Sequence, residues 1–147
     1  MYVSQVIMAP LPNIELVSLL VIIITRKFGV KALCSVYIFV LCEILTYGIE
    51  IWVLNYLYVW AVLWFAVFII RRIDTTVIYT LISGIFGITF GTMCAIPYFF
   101  IGGFTMFAAT VVSGLWFDIL HCSGNVIIAF LLYRPFTKVM DKLIKAD

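Results

Sequence analysis

Apolar residues run along this chain in long blocks that polar residues interrupt at only a few places. Residues 32–70 contain no Lys or Arg, and neither do residues 73–133. A bilayer core takes about 20 apolar residues per helical span, so each block has room for two. Polar, Gly and Pro residues mark a turn inside each block, near residues 48–56 and 97–103. The pattern therefore predicts two helical hairpins, residues 32–70 and 76–133.

The first 25 residues are different. "APLPNIELVSLLVIII" at 9–24 carries two prolines, an asparagine and a glutamate straight into an unbroken apolar run. Pro12 cannot donate a backbone hydrogen bond, and Asn13 is a good helix N-cap. Glu15 then falls in the first turn, where a carboxylate favours the positive end of the helix dipole. A helix starting at Asn13 and reaching Arg26 is expected, with "MYVSQVIMA" as the outer end of a further helix, short or truncated. The expected fold is all-α, a single membrane domain of six transmembrane helices over 1–147.

Composition agrees. The chain has 147 residues, 66% hydrophobic and 11% charged, against roughly 45–50% apolar and about 25% charged in soluble domains. The start shows no basic region followed by a small-residue cleavage site, so no removable signal peptide is read there. Cys34, Cys42, Cys94 and Cys122 are scattered without a CxxC pair. Neither a zinc site nor a disulfide framework is implied, and no metal or cofactor is expected.

Charge sets an orientation. The nine basic residues fall into three clusters: Arg26, Lys27 and Lys31; Arg71 and Arg72; Arg134, Lys138, Lys142 and Lys145. Short basic loops stay in the cytoplasm, so each hairpin between clusters should cross and return. Both termini are then cytoplasmic, in a plasma membrane. The loops use up all the basic residues, which leaves no basis for nucleic-acid binding.

The remaining ionisable residues fall in or near the spans, where charge is costly and usually faces a cavity or a partner. Glu43, Tyr47 and Glu50 recur at i, i+4, i+7 and so share a face of the third helix. Trp52, Asn55, Tyr56 and Trp60 follow at the expected outer turn. Gly114, Asp118, His121 and Asn125 form a second stripe on the last helix. Together with Asn13 and Glu15, these groups suit an outward pocket for a small, flat molecule. Glu43, Glu50 and Asp118 would pair with N–H-rich or cationic edges; Asn13, Asn55 and Asn125 would donate and accept. Tyr47, Trp60 and Trp116 would stack on a ring. No Lys or Arg is available there, which disfavours strongly anionic ligands. On the fifth helix Gly84, Gly87 and Gly91 make a small-residue face, either for packing inside the bundle or for docking a partner subunit.

The stretches "APLPNIELVSLL", "KALCSVYIFVLCEILTYGIEIWVLNYLYVW", "GIFGITFGTMCAIPYFFIGG" and "SGLWFDILHCSGNVIIAFLLYRPF" resemble the substrate-binding (S) components of energy-coupling factor transporters, the bacterial vitamin importers. The resemblance implies six helices with both ends inside and a vitamin-like small molecule bound near the outer surface. It also implies association, within the lipid bilayer, with a membrane coupling subunit and two cytoplasmic ATPase subunits. The AxxxA motif that many members use to meet the coupling subunit is absent, and Gly87/Gly91 is a substitute candidate. The chain has no GxxxxGK[ST] phosphate loop, so it does not hydrolyse ATP alone.

Two other functions compete with this reading. An intramembrane enzyme could use Asp118 and His121 as an acid/base pair, but no GxSxG, HExxH or paired-aspartate pattern accompanies them. No catalytic residue is assigned. A stand-alone channel or secondary carrier would often show an internal repeat, and the two hairpins are not similar.

Overall fold

A computed structural model describes residues 1–10 and 14–146, Ala146 by its backbone alone. The helices are α1 (Tyr2–Met8), α2 (Val17–Phe28), α3 (Ala32–Tyr47), α4 (Ile51–Ile70) and α5 (Thr76–Ala146), with a 3₁₀ turn at Gly29–Lys31. Among the described residues there is no strand, and the expected all-α class holds.

The expected six membrane-crossing helices are not found. Three helical stretches are long and apolar enough to cross: Val17–Tyr47, Ile51–Ile70 and Thr76–Lys145. The count falls short because α1 has only seven residues and α2 twelve, against the roughly 20 that a span takes. α4, with 20 residues, spans about 30 Å at the usual rise per residue, the thickness of a bilayer core.

The stretch from residue 76 onward bends back on itself. Gly102 and Gly103 leave helical geometry, and Gly103 takes φ +69°, a conformation that glycine adopts without a Cβ penalty. On either side of this break, residues 76–101 and 104–146 lie antiparallel. Gly91 meets Asp118, Gly87 meets Cys122, Gly84 meets Val126, and Thr76 meets Arg134. The predicted second hairpin is therefore present, with its turn at the far end of the expected window. The first hairpin turns at the near end of its expected window. α3 ends at Tyr47 and α4 is helical from Ile51, so Trp52, Asn55 and Tyr56 belong to a helix wall and not to the turn.

α2 forms the centre. Val17, Ser18, Leu19, Val21, Ile22, Ile23 and Thr25 are all buried, as expected of a helix enclosed on every side. Its backbone starts at Val17, later than the expected Asn13, which lies outside the described residues. The cap is supplied by Glu15, whose carboxylate accepts the Ser18 N–H at 3.0 and 3.1 Å. The outer helices carry large apolar side chains on their outward faces: Leu45, Ile69, Phe100 and Phe130 are among many that are well exposed. A soluble surface does not sustain apolar area on that scale, whereas lipid does.

The basic clusters converge at one end. Arg26 lies 3.1 Å from Asp74 and is hydrogen-bonded to Tyr133. Its guanidinium also stacks over the Tyr79 and Tyr133 rings, at 5.2 and 5.6 Å. Arg134 reaches Asp74 at 3.2 Å, and Lys27 pairs with Asp141. Gly29, at φ +58°, ends α2 there; a Cβ on it would lie 2.8 Å from the Arg71 guanidinium.

Candidate ligand-binding site

At the opposite end, the hairpin arms of α5 and the first turns of α4 enclose a cavity of about 610 Å³. α4 contributes Trp52, Asn55 and Tyr56, and residues 76–101 contribute Phe90, Gly91, Cys94 and Tyr98. Residues 104–146 add Thr110, Ser113, Gly114, Phe117, Asp118 and His121. Aromatic walls with a few directed polar groups are the usual make-up of a small-molecule site.

The wall opposite α4 owes its shape to Pro97. A proline inside a helix leaves the carbonyl four residues earlier without its N–H donor. That carbonyl belongs to Met93, and the Tyr58 hydroxyl donates to it at 2.7 Å. Asn55 Nδ2 donates to the neighbouring Cys94 carbonyl at 3.2 Å, and its Oδ1 accepts from Tyr58. Asn55 thus lines the cavity, but its amide is spent on the Cys94 carbonyl next to the proline break. In hydrocarbon a donor for the freed Met93 carbonyl is obligatory, because no water can satisfy it.

Asp118 and His121 sit one turn apart on the second arm, 3% and 4% exposed. Asp118 Oδ1 accepts the Gly91 N–H at 2.8 Å, while its Oδ2 has no partner. His121 Nε2 lies 3.3 Å from Glu15 Oε1, and its Nδ1 is also without a partner. The ring packs edge-on against Phe90, with centroids 4.8 Å apart. Buried polar atoms are normally satisfied; these two are left without a partner in the protein, on residues that line the cavity.

The expected site residues divide into three groups. Asn55, Asp118 and His121 come together on the cavity, and Glu15 stands behind His121. Asn125 lies on the same stripe but is taken up below it, donating to the Ser83 carbonyl at 3.1 Å and to Ser18 at 3.3 Å. The others are not on the cavity. Glu43 is buried in α3, with Oε1 unpartnered. Tyr47 is exposed with its ring edge against Trp52, and Glu50 is exposed in the turn, because α3 stops at Gly48 and the i, i+4, i+7 spacing loses its meaning there. Trp60 is 2% exposed in the core, T-stacked on Phe39 and Tyr56. Trp116 points away from the bundle, 65% exposed. Asn13 lies outside the described residues.

The role of Gly84, Gly87 and Gly91 as a partner-docking face is also corrected. A Cβ at Gly87 would lie 2.7 Å from the Cys122 backbone, and one at Gly91 would lie 2.6 Å from Asp118. The small-residue face is consumed by the hairpin itself.

Thr110, Ser113 and Phe117 also line the cavity, beyond the residues the sequence pattern singles out. They extend the Asp118 stripe backwards by two turns on the same helix face, a periodicity that was there to be read. Tyr98 carried no comparable signal.

Comparison with known proteins gives no match: no family model, no curated protein and no solved structure is similar to this chain.

Proposed function

We propose that this chain is a membrane receptor for a small ring-bearing nutrient, acting as the substrate-binding subunit of an energy-coupling factor importer. The carrying observation is the aromatic-walled cavity of about 610 Å³ with Asp118 and His121 in its wall. Sidedness adds support. The basic clusters gather at the end away from the cavity, and basic loops stay in the cytoplasm. The cavity would then open outward, with both termini inside.

Helices α3, α4 and the two arms of α5, broken at Gly103, would supply the crossings of an S-component-like bundle, with the short α2 at its centre and α1 beside it. With no phosphate loop in the chain, delivery would depend on a membrane coupling subunit and two cytoplasmic ATPases. The bound molecule is a vitamin or a related micronutrient.

Native mass spectrometry of protein purified from cells in rich medium tests the receptor function. A single small molecule that stays with the wild-type chain and is lost from Asp118→Ala is the expected result. Uptake of that molecule by cells expressing the chain should also require the coupling subunit and ATPases; uptake without them would make the chain a carrier by itself.

A further inference from the structure

The second arm of α5 presents one outward face that changes character at a single point. Ile127, Leu131, Arg134, Lys138, Lys142 and Lys145 recur at steps of three and four, so they lie in one row. No residue from 104 to 146 leaves helical geometry, and the row is unbroken. All six residues are exposed. Ile127 and Leu131 belong to the apolar surface that lipid covers. From Arg134 onward every member is basic.

The change falls where the bundle ends. Arg134 donates to Asp74 and Thr76, beside the Arg71–Arg72 pair that closes α4. At the usual rise per residue, Lys138 and Lys142 lie about 6 and 12 Å farther along the helix. A headgroup layer is roughly 5–8 Å deep, and a lysine stem is long and flexible enough to reach back into it.

The segment is held in place on its other side. Phe136 and Met140 pack on the core, and Asp141 pairs with Lys27 of α2. The acids described at this end are thereby spent, Asp74 on Arg26 and Arg134 and Asp141 on Lys27. Exposed Val139 and Leu143 flank the lysines, so apolar area continues beside the charges, the make-up of an interfacial helix face.

We infer that this row docks the anionic headgroups of membrane phospholipids, with Lys138, Lys142 and Lys145 meeting phosphate and Val139 and Leu143 entering the interface beside them. Clusters of lysine next to a span attract acidic lipid. Continuity favours lipid over an acidic protein partner, because the row prolongs a face that already stands in lipid, and its first lysine meets headgroups before it meets solution. The inference depends on the membrane placement of the bundle and not on the receptor function.

Native mass spectrometry of the full chain in detergent tests this, with phosphatidylglycerol and phosphatidylcholine of identical acyl chains as probes. Wild-type protein should retain phosphatidylglycerol about tenfold or more tightly than phosphatidylcholine. Replacing all three lysines (Lys138→Gln, Lys142→Gln and Lys145→Gln) should remove most of that preference, at up to about fivefold per lysine. The matching Lys→Arg replacements should keep it. These side chains are exposed, so the melting temperature should not move in either variant. Equal retention of the two lipids by wild type would overturn the inference, as would a preference that survives the glutamine replacements. Displacement of phosphatidylglycerol by inorganic phosphate at the same concentration would make the row a free-anion site and overturn it. Displacement by polyglutamate would assign the face to an acidic protein and overturn it as well.

Discussion

The Gly91 N–H donates to Asp118 Oδ1 at 2.8 Å across the two arms of α5, and the contact exists only because residue 91 has no side chain. A Cβ there would lie 2.6 and 2.7 Å from the two carboxylate oxygens. One glycine thus holds the acid in place and leaves room for it.

Gly91→Ala should therefore displace Asp118 and weaken ligand binding by about tenfold or more, as loss of an aligned charged hydrogen bond does. Calorimetric titration with the copurifying nutrient checks this. Unchanged affinity would mean that the Asp118 position does not matter to the ligand.

Gly87→Ala should act on stability instead. Its Cβ would press on the Cys122 Cα and N, both 2.7 Å away, and backbone cannot swing aside as a side chain can. Overpacking of this kind costs about 1–3 kcal/mol, visible as a lowered melting temperature in detergent. Gly114→Ala is the control, because nothing lies within 4 Å of its Cβ position.

Trp60→Ala should cost about 3–5 kcal/mol, since Trp60 is 2% exposed within the aromatic core. Trp52→Ala should leave the melting temperature nearly unchanged and weaken ring binding, because Trp52 is 39% exposed and lines the cavity. Paired melting and titration curves distinguish the two roles.

At the basic end, burial pulls the Asp74 carboxyl upward, but the Tyr133 hydrogen bond and the Arg26 and Arg134 charges outweigh it. The net effect holds Asp74 below its usual pKa. A carboxylate depressed in this way stabilises the folded chain above its unfolded value of about 3.9, and the gain is lost as pH falls through the folded value. Asp74→Asn should thus be less stable than wild type near neutral pH, and the gap should close in acid. With the side chain 51% exposed, the gap should not exceed about 1 kcal/mol.

Orientation can be measured directly. In a cysteine-free background, Glu50→Cys should react with a membrane-impermeant maleimide on intact cells, and Arg72→Cys should react only after permeabilisation. The reverse pattern would turn the cavity toward the cytoplasm.

What the chain alone determined is what bulk chemistry dictates. Blocks of apolar residues without Lys or Arg leave a helix in lipid as the economical structure, and the spacing of Asp118 and His121 put both on one face before any packing was known. Tertiary structure decided everything that depends on what stands opposite. Gly87 and Gly91 looked the same as a docking face until Cys122 and Asp118 were found against them. Trp60 and Trp52 are the same residue type eight positions apart on one helix, yet one is core and the other cavity wall. Asn55 carries amide chemistry fit for a ligand, but the Cys94 carbonyl on the facing arm claims its N–H. Helical periodicity records which residues share a face, and only the neighbouring helix determines whether that face meets lipid, protein or an open cavity.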